Sequence, residues 1–263
     1  RLLMLQYAYT KDQLDRLYLR ASCPGSERFS TNRKVDDLCR QFEGFLSQYP
    51  THGEAMNVYG TLLDDIGKGD EAMEVWERAM RLSQTNPELL NNLANYYGHN
   101  GRAEQAIRMY EQAIQINPQQ AVYHFNLANM YYLFRKETMT IHPQWDLKKT
   151  FEMSLFHFRM ASQIAPDNVE YATSYAETFY GVNFLTRAFD WRDAETAWKK
   201  CLPLRSDRAF QDSIHLHLLR VSAYQNKPAE ALEYYNTLQG GDSRRMGWQL
   251  MRRFFPEDSG VDA

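Results

Sequence analysis

PELLNNLANYYGHNGRAEQAIRMYEQAIQINP, residues 87–118, is the stretch from which the rest of the chain can be read. Leu90, Leu93, Ala94 and Tyr97 recur at helical spacing, and so do Ala106, Tyr110 and Ala113, which predicts two short amphipathic helices. Gly101 stands between them, where a tight turn between antiparallel helices calls for positive φ, and Pro118 stops the second helix.

Shifted by 34 residues in either direction, the block returns. Tyr59, Gly60 and Leu63 precede Leu93, Ala94 and Tyr97, which precede Leu127, Ala128 and Tyr131. Ala72, Trp76 and Ala79 likewise precede Ala106, Tyr110 and Ala113. The small residues let paired helices approach closely, and the large rings fill the gap to the next repeat. This period, with small-aromatic-small spacing in the second helix, resembles the tetratricopeptide repeat family. The resemblance implies an all-α fold, a right-handed superhelical solenoid of helical hairpins with capping helices at both ends.

The register divides the chain in order. Residues 1–52 are expected to form a degenerate N-terminal capping pair. Its helices are expected over about 1–20 and 34–48, with CPGSERFSTN, Cys23–Asn32, as a loop. The array then runs over 53–240, as repeats at about 53–86, 87–120, 121–167, 168–207 and 208–240. In the third repeat Ala113 returns only at Ala161, so about 14 residues are inserted. The insert, 135–150, carries His142, Pro143 and Trp145 and is expected to lengthen a turn without belonging to the core. A further insertion of about 6 residues falls around Asn183–Asp190. Residues 241–263 supply a C-terminal capping helix, basic and amphipathic (Arg244, Arg245, Trp248, Arg252, Arg253), and a tail.

Composition narrows the function. A net charge of −3 and a pI near 6.2 speak against nucleic acid as partner, since phosphate binding needs a basic footprint. No apolar run approaches 18 residues, so no transmembrane segment is read in this chain. The first residue is Arg1, which leaves compartment and any removed leader open. Cys39 and Cys201 fall on expected helices and read as free thiols; Cys23 with Cys39 is the one local disulfide to consider. No Gly-rich phosphate loop, G-x-S-x-G or H-E-x-x-H is present. His215 and His217 are two apart on a helix and point to different sides, while His142 and His157 read as packed or solvated. Catalytic residues, metal and cofactor are therefore not expected.

The family resemblance implies instead a non-catalytic scaffold or adaptor that binds a protein or peptide along the concave face of the first helices. By helical phase Asn91, Asn92 and Asn95 stand there, followed by Phe125, Asn126, Asn129 and Tyr132, then Ser174 and Glu177. Asn92 and Asn126 are one period apart, as are Asn95 and Asn129. Such a carboxamide ladder suits a peptide main chain, because each amide donates to C=O and accepts from N–H. The ladder lapses at Val58 and at Ser174. The basic clamp with which some relatives grip acidic tails is missing: Asn57, Thr61, Asn92, Val122 and Asn126 stand in its places. Over 53–66, 87–99, 121–134 and 168–184 the first helices carry Glu54, Asp64, Asp65, Glu88, Glu170 and Glu177 without Lys or Arg, which fits a neutral or basic partner segment. Two alternatives are a regulatory or structural segment of a larger enzyme and an (α/α) toroid glycosidase with paired carboxylates. The 34-residue register argues against the toroid.

Overall fold

The computed structural model of the chain describes residues 25–187 and 189–256, and every regular element among them is helical. In chain order these are α1 Gly25–Gln48, α2 Gly53–Asp65, α3 Gly69–Leu82, α4 Pro87–His99, α5 Ala103–Ile116, α6 Ala121–Leu133 and α7 Arg135–Ile141. They continue as α8 Leu147–Ile164, α9 Val169–Thr186, α10 Trp191–Cys201, α11 Arg208–Tyr224, α12 Pro228–Thr237 and α13 Gly241–Phe254. Two compact units meet in sequence at Pro118 and Gln119, with α1–α5 in the first and α6–α13 in the second. Each is a stack of helical hairpins, the helical-repeat fold that the register implies.

Local chemistry sets the boundaries. Asn86 accepts from the N–H of Glu88 and Leu89 at the start of α4, and Pro87 occupies the first helical turn. Asp146, Asn168, Asp190 and Asp207 cap α8, α9, α10 and α11 in the same way. Gly67 and Gly101 close the first two hairpins at φ 81° and 75°, and Asn226, at φ 57°, takes the corresponding place between α11 and α12.

In the first unit Leu62, Leu63, Trp76, Leu89, Leu93 and Ile107 are buried, and Phe42 of α1 stacks on Tyr59 with ring centroids 5.4 Å apart. In the second, one core gathers Phe151, Phe179, Trp198 and Leu218; another gathers Leu219, Tyr235, Leu238, Met251 and Phe255 under α13.

Two expectations are corrected. The expected loop Cys23–Asn32 is helical from Gly25 onward, the first two of its residues lying outside those described. Its Ser, Thr and Asn residues disfavour helix only by tenths of a kcal/mol, and extending an existing helix is far easier than nucleating one. The helix expected over 1–20 also lies outside the described residues. The insert at 135–150 is ordered: α7 buries Thr138, Thr150 is buried one turn into α8, and Trp145 stacks on His142 at 4.0 Å with its edge toward Tyr131. The smaller insertion lengthens α9 to 18 residues, where α2, α4 and α6 have 13.

Candidate functional site

The first unit places a polar network on its first helices. Asn92 of α4 donates from Nδ2 to Asn57 Oδ1 (3.1 Å) and to Thr61 Oγ1 (3.2 Å), both on α2. Asn57 donates in turn to Glu88 Oε2 at 3.3 Å, and Asn91 donates to Asn92 Oδ1 at 3.4 Å. Both amide hydrogens of Asn92 are thus engaged between repeats, which leaves its oxygen as the site for a further donor. Asn91 and Asn57 are buried, Asn92 half-buried. Asn95, also half-buried, accepts from the Tyr110 hydroxyl.

Asn57, which the sequence places at a clamp position, is not read there as a member of the ladder. It lies 35 positions before Asn92, one off the period, so strict register selects Val58. The ladder steps by one residue there, and the contact is made by the neighbour.

In the second unit Asn126 and Asn129 are half-buried on α6, and Asn129 donates to the Phe125 carbonyl at 3.0 Å. Phe125 itself packs between Phe158 and Tyr171, at 5.7 and 4.7 Å. Tyr132 rests its hydroxyl on Gly181 of α9, where an added Cβ would lie 1.8 Å away. Ser174 is half-buried, and its carbonyl accepts from Thr178 Oγ1. Glu177 is exposed, yet the protein around its carboxyl removes enough water to hold it above the ordinary carboxylate value.

The histidines are packing elements. His124 and His157 face each other with Nδ1 atoms 2.8 Å apart, so one ring donates and the other accepts. Burial, with His124 alongside, pushes His157 down to about 3. His217 lies flat on Trp198 at 3.9 Å and meets the Tyr180 hydroxyl at 3.1 Å; burial, then Arg220, pushes it down to about 4. Cys201 is buried and its thiol pushed up to about 12 by desolvation, so it stays protonated at neutral pH. Among the described residues no cluster of three or more His, Cys, Asp or Glu is placed to hold a metal, and no helix is long and apolar enough to cross a membrane.

A cavity of about 540 Å³ lies in the second unit along α8 and α10, lined by Arg159, Gln163, Tyr175, Asp193 and Lys200 over Ala172 and Ala197. None of the expected groove residues lines it.

Residues 87–120 match the family model for the tetratricopeptide repeat. Three solved structures are similar in fold. The pilF protein of Pseudomonas aeruginosa is 13% identical at a TM-score of 0.57, over 96% of this chain and 95% of that one. YrrB, described as a tetratricopeptide repeat protein with an unusual peptide-binding site, is 10% identical at 0.56, over 82% and 93%. MamA is 18% identical at 0.51, over 70% and 95%. No curated protein sequence matches the chain.

Proposed function

We propose that this chain, a tetratricopeptide repeat protein, is a non-catalytic interaction module that takes an extended segment of a partner protein on the inner faces of its first helices. The observation that carries this reading is the repetition of half-buried carboxamides at matching turns of consecutive first helices, Asn92 and Asn95 on α4, Asn126 and Asn129 on α6. Within each unit, amides a helical turn apart on one helix offer a peptide main chain both donors and acceptors. The peptide-binding site of YrrB, similar in fold, supports it.

The charge on these helices supports a neutral or basic segment. Glu54, Glu88, Glu170 and Glu177 stand there without a lysine or arginine. Glu88 already accepts from Asn57, which keeps its carboxylate directed at the same network. Capture of partners by the intact chain, followed by titration of a captured partner against Asn126→Ala and Asn129→Ala, tests the reading. Each change should weaken binding by about 1–2 kcal/mol, the penalty for a hydrogen bond left unmade in a partly dry site. Undiminished affinity in both would remove these faces from the account.

A further inference from the structure

Four helices of the second unit bring aromatic rings to one place. Tyr180 of α9 lies 5.7 Å from Trp191 at the start of α10. Trp191 stacks on Tyr224, at the end of α11, at 4.4 Å and 23°. Tyr224 meets Phe254, at the end of α13, edge-on at 5.4 Å. Phe184 follows Tyr180 by four residues on α9, so it stands on the same helix face one turn further on. It is 85% exposed, Leu185 beside it 48% and Tyr224 44%.

Arginines ring this patch. The Arg220 guanidinium lies 5.6 Å over Tyr180 and that of Arg253 5.7 Å over Phe254. Arg187 ends α9 three residues after Phe184, and Arg192 follows Trp191. The nearby acids are Asp190, paired with Arg192; Asp193, also beside Arg192; Glu195, paired with Lys199 and Lys227; and Glu177, one turn before Tyr180. Among the described residues Arg187, Arg220 and Arg253 have no carboxylate within ion-pair distance.

We propose that this aromatic and arginine patch is a second docking surface, taking an acidic segment of a partner protein with leucine or aromatic anchors. Trp, Tyr and Arg are the residues that carry most interface energy, and rigid rings on helix ends order at little entropic cost. A guanidinium already lying over a ring keeps its N–H fork directed outward, ready for bidentate capture of a carboxylate. The charge balance decides the partner's sign: among the described residues Arg187, Arg220 and Arg253 are without an ion pair, against Glu177 and Asp193, while Asp190 and Glu195 are already paired. That preference is opposite to the one proposed for the carboxamide-bearing faces, so the two surfaces are separable by experiment. A net excess of about one cation is too small for a polyphosphate backbone, whose affinity grows with every counterion released.

The test uses the full chain and a fluorescein-labelled synthetic 14-residue peptide of Glu and Asp carrying Leu and Phe anchors. A matched peptide has Lys in place of every acid. Fluorescence anisotropy should show saturable binding of the acidic peptide, weakened by added salt, whereas any binding of the basic peptide belongs to the carboxamide-bearing faces and should not respond to changes in this patch. Phe184→Ser with Arg253→Glu should reduce that affinity at least tenfold while the melting temperature stays unchanged, since both side chains are exposed. Unchanged affinity for the acidic peptide in the double variant, an equal loss of both peptides in it, or no saturable binding of the acidic peptide would overturn the proposal. So would either of two other occupants: a dimer in sedimentation that Phe184→Ser abolishes, or attachment to phosphatidylserine vesicles lost in the same variant without peptide binding.

Discussion

The indole of Trp76 fills the space where a side chain at Gly60 would stand: a Cβ there would lie 2.3 Å from Nε1 and 2.5 Å from Cδ1. Trp76 is buried, and its Nε1 donates to the Asn57 carbonyl at 3.1 Å, one turn before Gly60 on α2. A glycine inside a helix costs about 1 kcal/mol relative to alanine, and here the seat it opens for the ring offsets that cost. Gly60→Ala should therefore destabilise the first unit by about 1–2 kcal/mol, overpacking outweighing the gain in helix propensity. Gly44→Ala, on the exposed side of α1 with nothing within 4 Å of the added carbon, should stabilise by about 0.5–1 kcal/mol. Urea midpoints for the two variants settle the point, and a stabilised Gly60→Ala would refute the packing described.

Asp212 holds the start of the last helix. Buried on α11, it accepts from the N–H of Gly240 at 2.7 Å and of Gln239 at 3.2 Å, at the amino end of α13. Burial works against its charge, but these N–H groups and the Ser243 hydroxyl outweigh it and hold the carboxyl below its ordinary value. Asp212→Ala should cost about 1–3 kcal/mol, because it leaves the half-buried Gly240 N–H without its acceptor and undoes the cap of α13. Hydrogen exchange across 241–254 should rise selectively. Asp242→Ala, which removes only the exposed ion pair with Arg245, should leave the exchange as it is.

The insert should prove part of the second unit. Thr138 is buried and donates to the Phe134 carbonyl at 2.8 Å, and Trp145 lies between His142 and Tyr131. Trp145→Ala should lower stability by about 1–2 kcal/mol. Replacing 135–149 by a short glycine turn removes Leu147 along with this packing and should abolish cooperative melting of the unit. A shortened chain that melts with unchanged cooperativity would restore the insert to the status of a surface loop.

Sequence periodicity carried the hairpins because the close approaches are periodic: Gly60, Ala94, Ala128 and Ala176 are all buried in the first helices. It reached less far where contacts leave the register. Asn57 meets Asn92 from 35 residues away, and His124 meets His157 from 33, so a period of 34 pairs neither. The register locates the insertions but not the structure they adopt, for another reason. Extra residues between two helices read as turn, but adding turns to a helix satisfies each new N–H and C=O internally, and α8 and α9 grow to 18 residues each. The aromatic convergence of Tyr180, Trp191, Tyr224 and Phe254 draws on four helices from two repeats and the C-terminal cap, and no single stretch of sequence displays it.

Acid should loosen the second unit before the carboxylate at Asp212 begins to titrate. His157 and His217 are held neutral, at about 3 and about 4, against an ordinary value of 6.5. Between pH 6.5 and those values the unfolded chain carries protons on both imidazoles that the native chain refuses. Stability therefore falls as pH falls, by up to about 1.4 kcal/mol per pH unit for each histidine. Asp212 acts in the same direction but later, its contribution being lost only below about pH 4, where the unfolded carboxyl takes up its proton. Replacing the facing pair together, His124→Leu with His157→Leu, removes donor and acceptor at once and should be near neutral at pH 7.5, within about 1 kcal/mol. At pH 4.5 the double variant should be the more stable protein, its unfolding midpoint less dependent on pH than that of the native chain. Parallel stability curves for the two proteins from pH 7.5 to 4.5 would show that the buried imidazoles are not what the acid acts upon.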